Sequence, residues 1–163
     1  MLGRTALVTR VYTIANSLNI EIALVDRIVK AYLTYCKEEL SRGHRVNLCG
    51  IAIIVPDYEV FDYKTTLAYR CKQIADMYAL PQYTVFQVVQ GYLDTIKDDI
   101  YAGKSANVYG LCTIQPLREG GIVTRVHSSI SQSLQEYLED YGNHARVYTN
   151  KIFKRKVKGA GIS

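Results

Sequence analysis

Residues 15–50, ANSLNIEIALVDRIVKAYLTYCKEELSRGHRVNLCG, decide how the rest of the chain is read, because their punctuation returns at residues 75–110, ADMYALPQYTVFQVVQGYLDTIKDDIYAGKSANVYG. Ala15, Gly43 and Gly50 in the first stretch become Ala75, Gly103 and Gly110 in the second, each sixty positions on. Extended to Thr5–Pro56 and Thr65–Pro116, the ungapped overlay holds fifteen identities in fifty-two. They include Arg10/Arg70, Tyr32/Tyr92, Lys37/Lys97 and Pro56/Pro116. Unrelated segments would share roughly three or four, so the chain carries an internal duplication. A period this long marks a supersecondary unit that buries its apolar face against a neighbour.

Each copy reads as two helices followed by a hairpin. Leu7, Val11, Ile14, Ala15 and Leu18 step by three and four and predict a helix over 5–18. The stripe from Leu24/Val25 to Leu40 predicts a longer helix over about 21–42, which Gly43 ends in a left-handed conformation. Val46 and Leu48, a turn at Cys49-Gly50 and the apolar run Ile51–Val55 form a hairpin, with Glu59–Tyr63 expected to return as a third strand. The second copy repeats this with helices over Leu67–Tyr78 and from Pro81 to Gly103, and strands at Ala106–Val108 and Leu111–Ile114. Beyond Pro116 the copies diverge. A turn at 118–121, a strand over Ile122–His127 and a helix over Ser129–Asp140 are expected. The domain boundaries that follow are 1–64, 65–141 and a tail, 142–163.

Charge is distributed unevenly. Residues 1–142 hold fourteen Lys/Arg against fifteen Asp/Glu, whereas 143–163 hold six basic residues and no acid. A polyanionic partner would therefore meet the tail, through Arg146, Lys151, Lys154, Arg155, Lys156 and Lys158, with Tyr148 and Phe153 available to stack. Val147–Phe153 can form a strand if something pairs with it, but a tail of this composition, alone in water, is expected to be disordered. The four cysteines form no C-x-x-C pair and read as reduced, mostly buried thiols, with no metal site. No apolar run is long enough to span a bilayer, so no membrane partner is expected. Met1-Leu2-Gly3-Arg4 lacks the apolar stretch of a signal peptide, so secretion is not expected.

Catalytic chemistry finds no support in spacing. His44, His127 and His144 have no nucleophile at a recognisable distance, and His44 reads as a solvated turn residue. Asp98-Asp99 and Glu38-Glu39 are adjacent on helices, where neighbours diverge by about 100°, and read as solvated faces. The expectation is a non-enzyme with no cofactor and no small-molecule substrate.

The order helix, longer helix, Gly, hairpin with Gly in its turn resembles the HU and integration host factor family of bacterial histone-like DNA-binding proteins. The resemblance rests on Ile14-Ala15, Gly43, Val46-x-Leu48 and Gly50, and on Ile74-Ala75, Gly103, Val108 and Gly110, and covers residues 5–140. It implies an α+β fold of two tandem units (helix–helix–hairpin with a three-stranded sheet), interlocked as an intramolecular pseudo-dimer, with the basic tail appended. Family members wrap DNA with two long basic arms and kink it with a tip proline. Here the connections Val55–Glu59 and Gln115–Gly121 are too short for that, and the family's Phe-Gly-x-Phe is replaced by Ile51–Ile54 and Leu111–Ile114.

Two functions follow as expectations. The first is a structural assembly protein, such as the ring, neck, collar or tail components that tailed bacteriophages encode among their HU-like virion genes. Its partners would be other virion proteins and copies of itself in a homo-oligomeric ring, with the tail as the strap onto a neighbouring subunit. Its location would be the virion. The alternative is an architectural DNA-binding protein of the bacterial cytoplasm or nucleoid, gripping phosphates with the tail.

Overall fold

The computed structural model describes residues 5–61 and 66–158. The chain is α+β: among the described residues there are six helices and two three-stranded antiparallel sheets. In chain order these are α1 (Leu7–Leu18), α2 (Ile22–Ser41), β1 (Val46–Leu48), β2 (Ala52–Pro56), α3 (Leu67–Tyr78), α4 (Gln82–Tyr101), β3 (Ala106–Val108), β4 (Cys112–Glu119), β5 (Ile122–Ile130), α5 (Gln132–Glu139), β6 (Ala145–Thr149) and α6 (Lys151–Val157).

The duplicated punctuation fixes where these elements stop. Gly43 and Gly103 follow the long helices at φ +84° and +82°, and Gly50 and Gly110 turn the hairpins at +77° and +75°. A side chain at these φ values is strained, and so the four glycines recur. The short helices end alike, on Asn19 and Ala79, both at φ 53°. Ala15 and Ala75 are buried in the apolar core and accept the capping N–H of those residues.

The helices α1 to α4 cross reciprocally. α1 packs on α2 and across onto α4; α3 packs on α4 and across onto α2; α2 and α4 pack on each other. Lys97 reaches from α4 to the Gly50 turn, and Lys37 from α2 to the Gly110 turn. The apolar residues of both copies thus merge into one buried cluster that includes Val25, Tyr32, Leu40, Val85, Tyr92 and Ile100. An ion pair is set into this crossing: Arg10 Nη2 lies 2.8 Å from Asp99 Oδ2. Asp99 is therefore a partner of a buried arginine and not part of a solvated face.

The third strand of the first sheet is not where the sequence suggested. Residues 59–61 form no strand, and residues 62–63 lie outside the described set. The sheet order is β1-β2-β6, with β6 drawn from the basic C-terminal segment: Ala52 pairs with Thr149, Ile54 with Val147 and Pro56 with Ala145. The second sheet is β3-β4-β5, in which Cys112 pairs with Ile130 and Pro116 with Val126. Because Pro56 matches Pro116, Ala145 occupies the place of Val126, nineteen positions earlier. The match continues along the chain. Ser131 N–H donates to the Leu111 carbonyl at 3.0 Å, and Asn150 N–H to the Ile51 carbonyl at 2.8 Å. Ser131 and Asn150 each cap the helix that follows, and Leu134/Leu138 and Phe153/Val157 are the buried pairs on α5 and α6. Strand and helix are thus present for both copies, but those of the first copy arrive last in the chain. α5 packs on α2, and α6 on α4.

The β4–β5 hairpin is longer than expected and runs beyond β3 to the Gly120-Gly121 turn, with a bulge between Leu117 and Arg118. The part past Ile114 is about 17 Å long at the usual rise per residue. Arg118 folds back on it, donating from Nη2 to the Gly103 carbonyl.

Candidate interaction surface

Pairing decides which residues of β6 meet solvent. Ala145, Val147 and Thr149 face the core side, so Arg146 and Tyr148 stand on the outer face, opposite Val55 and Ile53. Arg146 Nε is 3.5 Å from Asp57 Oδ1, and both side chains are exposed. A pair so placed contributes little to stability.

On α6, Phe153 and Val157 lie one turn apart and are buried. The Phe153 ring meets the Tyr101 ring edge-on, with centroids 5.2 Å apart. Phe153 is therefore core, and of the two aromatic residues expected to stack only Tyr148 is exposed. The Asn150 Oδ1 accepts from Ile152 N–H at 3.0 Å and Phe153 N–H at 3.2 Å, starting the helix. Lys154, Arg155 and Lys156 lie in its last turn, where cations complement the helix dipole. Lys151, Arg155, Lys156 and Lys158 are exposed and Lys154 is half-buried. Among the described residues none of these five cations is ion-paired. The structure thus divides the predicted residues between the outer face of β6, which holds Arg146 and Tyr148, and α6, a helix fixed to this chain's own core, which holds the other cations and buries Phe153.

A second feature was not legible from the sequence. After β2 the chain runs irregularly through residues 57–61, yet its backbone is pinned at several points. Asn143, a buried side chain, donates from Nδ2 to the Tyr58 carbonyl at 3.2 Å and accepts Tyr58 N–H at 3.1 Å. Asp57 N–H donates to the His144 carbonyl and Val60 N–H to the Gly43 carbonyl, each at 2.8 Å. Arg45 binds the Glu59 carboxylate through both Nε and Nη2. A backbone held this way turns its apolar side chains outward. Tyr58 is 74% exposed, Val60 49% and Phe61 80%, with Tyr148 at 53% nearby on β6. Two shallow grooves of about 400 and 510 Å³ share the residues Val55–Tyr58 and run along this patch. Contiguous apolar and aromatic exposure of this kind makes the segment a candidate interaction surface.

The titratable groups are otherwise used inside the fold. His44 Nδ1 lies 2.6 Å from Glu39 Oε2, whose residue is buried, so His44 is not the solvated turn residue its position suggested. His144 Nε2 is 3.3 Å from Glu139 Oε1 at the surface. All four thiols are free, with Cys36, Cys71 and Cys112 buried and Cys49 half-buried. Burial pushes the Cys36 and Cys112 thiols up to about 12 and Cys71 to about 11, so they stay protonated and unreactive near neutrality. Among the described residues no group of three or more His, Cys, Asp or Glu is placed to hold a metal ion, and no helix is long and apolar enough to cross a membrane.

Neither the scan of protein-family models nor the search of curated proteins gives a match to this chain.

Proposed function

We propose that the chain is a single-chain HU/IHF-like pseudo-dimer acting as a non-enzymatic assembly protein, of the kind that builds a ring, neck or tail layer in a tailed-phage virion. The sixty-residue duplication, the reciprocal helix crossings and the presence of a third strand and last helix for both copies support the family reading. One observation carries the assembly reading: the exposed residues Tyr58, Val60 and Phe61, with Tyr148 beside them on β6, lie directly after Pro56 in the chain, where a family member would send out its DNA-wrapping arm. An aromatic surface takes the place of a basic one there, which suits a protein partner better than phosphate.

Sedimentation velocity of the full chain over a concentration series tests this, with and without a short DNA duplex. Phe61→Ser combined with Tyr148→Ser should weaken self-association about tenfold, as the loss of an aromatic anchor does. A wild-type chain that binds the duplex at physiological salt, and associates no less after the double substitution, would overturn the assembly reading. The unpaired cations of α6 favour a second reading, phosphate-backbone binding by a DNA-architectural protein. That reading predicts duplex affinity that falls steeply with salt and is lost in Lys151→Glu/Arg155→Glu.

A further inference from the structure

The two helix crossings differ in one respect that the duplication makes easy to see. Where α3 meets α2, the Arg27 guanidinium lies over the Tyr78 ring, 5.6 Å from its centroid. The residues at the same positions in the α1–α4 crossing are Gln87 and Leu18, and both line a groove of about 390 Å³. Gly91 helps form its floor, where α2 has Ala31; a Cβ on Gly91 would come to 3.5 Å from Ile14 Cγ2. Tyr83 and Phe86 line it and are 71% and 37% exposed. Asp94 and Asp98 also line it, one helical turn apart, and neither is in an ion pair among the described residues. The groove is therefore apolar with an acidic rim.

α6 has diverged in the complementary direction. Its structural counterpart α5 carries Gln132, Ser133, Glu136 and Glu139 where α6 has Lys151, Ile152, Arg155 and Lys158. Ile152 is 63% exposed, an aliphatic side chain held in water between cations. Lys151 and Arg155 are spaced one helical turn apart, as Asp94 and Asp98 are, about 6 Å on a helix surface.

We propose that the α1–α4 groove of one copy receives α6 of a second copy. Ile152 seats against Tyr83 and Phe86, and Lys151 and Arg155 face Asp94 and Asp98. This is helix-in-groove recognition with charge complementarity setting the register. The two surfaces are different patches of one molecule, so the contact is heterologous and propagates into a ring or a filament. The inference rests on the assembly reading above and names the contact that would build the assembly.

Charge reversal in two separate proteins tests it by sedimentation velocity. One variant carries Asp94→Lys and Asp98→Lys, the other Lys151→Asp and Arg155→Asp; the substituted side chains lie at the surface of formed helices, and circular dichroism checks that each variant is folded. Each variant alone should associate roughly a hundredfold more weakly than wild type, because like charges then face each other. An equimolar mixture of the two should recover wild-type assembly, since each groove again meets a helix of opposite sign. A mixture that stays dissociated, variants that associate as wild type does, or a wild-type chain that is monomeric throughout would overturn the contact. The assembly reading fares separately: if the charge variants associate normally while Phe61→Ser/Tyr148→Ser weakens association, the groove contact is wrong and the reading stands.

Discussion

Arg10 and Asp99 meet at 2.8 Å between α1 of the first copy and α4 of the second. Arg10 is 2% exposed, and its Nη1 has no hydrogen-bond partner; the approach of Nη2 to Asp99 is charge contact without hydrogen-bond alignment. The same positions in the other crossing are Arg70 and Glu39. Arg70 is equally buried and donates from Nη2 to the Arg45 carbonyl at 2.9 Å, while Glu39 holds His44. Each crossing therefore holds a guanidinium in the core at the same ancestral position.

The Arg10–Asp99 pair carries a prediction of its own. Asp99→Ala strips the charge partner from a buried arginine and should cost about 3 kcal/mol in urea unfolding. The double substitution Arg10→Met/Asp99→Leu removes the stranded charge and should cost less than Asp99→Ala alone. A double variant as unstable as the sum of its singles would show that the pair contributes no coupling.

α6 gives a second contrast within one short helix. Phe153→Ala empties a buried site against Tyr101 and should destabilise the chain by about 3–5 kcal/mol. Arg155→Ala, at an exposed position, should stay within about 0.5 kcal/mol. If both were neutral, the helix would not be part of the core and the C-terminal segment would be the loose tail its composition suggests.

Much of this architecture could be read from residue pattern, and what escaped did so for physical reasons. The helices and hairpins obey one register because Gly43, Gly50, Gly103 and Gly110 occupy positive φ in each copy, and no other residue type serves as well. β6 and α6 do not obey that register. They match β5 and α5 at a separation of nineteen residues, and only through a cap and two buried positions, Asn150-x-x-Phe153-x-x-x-Val157 against Ser131-x-x-Leu134-x-x-x-Leu138. The six basic residues concealed this, since charge on the solvent face says nothing about the face that is buried. Asp99 was obscured in the same way, because its partner Arg10 is a lone cation on an apolar stripe nearly ninety residues away in sequence. The exposed patch at Tyr58 and Phe61 was missed because alternating apolar residues after a turn resemble a strand.

The buried thiols predict how stability depends on pH. Cys36 and Cys112 ionise near 12 and Cys71 near 11 in the folded chain, against 9.0 for an unburied thiol, with burial the main cause in each. Below pH 9 both states keep these protons and nothing changes. Between pH 9 and about 12 the unfolded chain binds fewer protons than the folded one, so stability falls as pH rises. Thermal midpoints should therefore decline above pH 9, and Cys112→Val should flatten that decline. A Cys112→Val variant with the wild-type pH profile would remove Cys112 from this account.

The central claim is that residues 145–157 belong to the fold, so that function lies in fixed surfaces and not in a free basic strap. Native-state hydrogen exchange measured on the dilute, monomeric chain tests it most directly. The β6 amides that bond to β2 should exchange with the same opening free energy as those of β2, because the two strands pair and pack Ile54 and Val147 against one core. Rapid exchange across β6 and α6 while α2, α4 and β2 remain protected would contradict the account, and would return the C-terminal segment to the role of a strap.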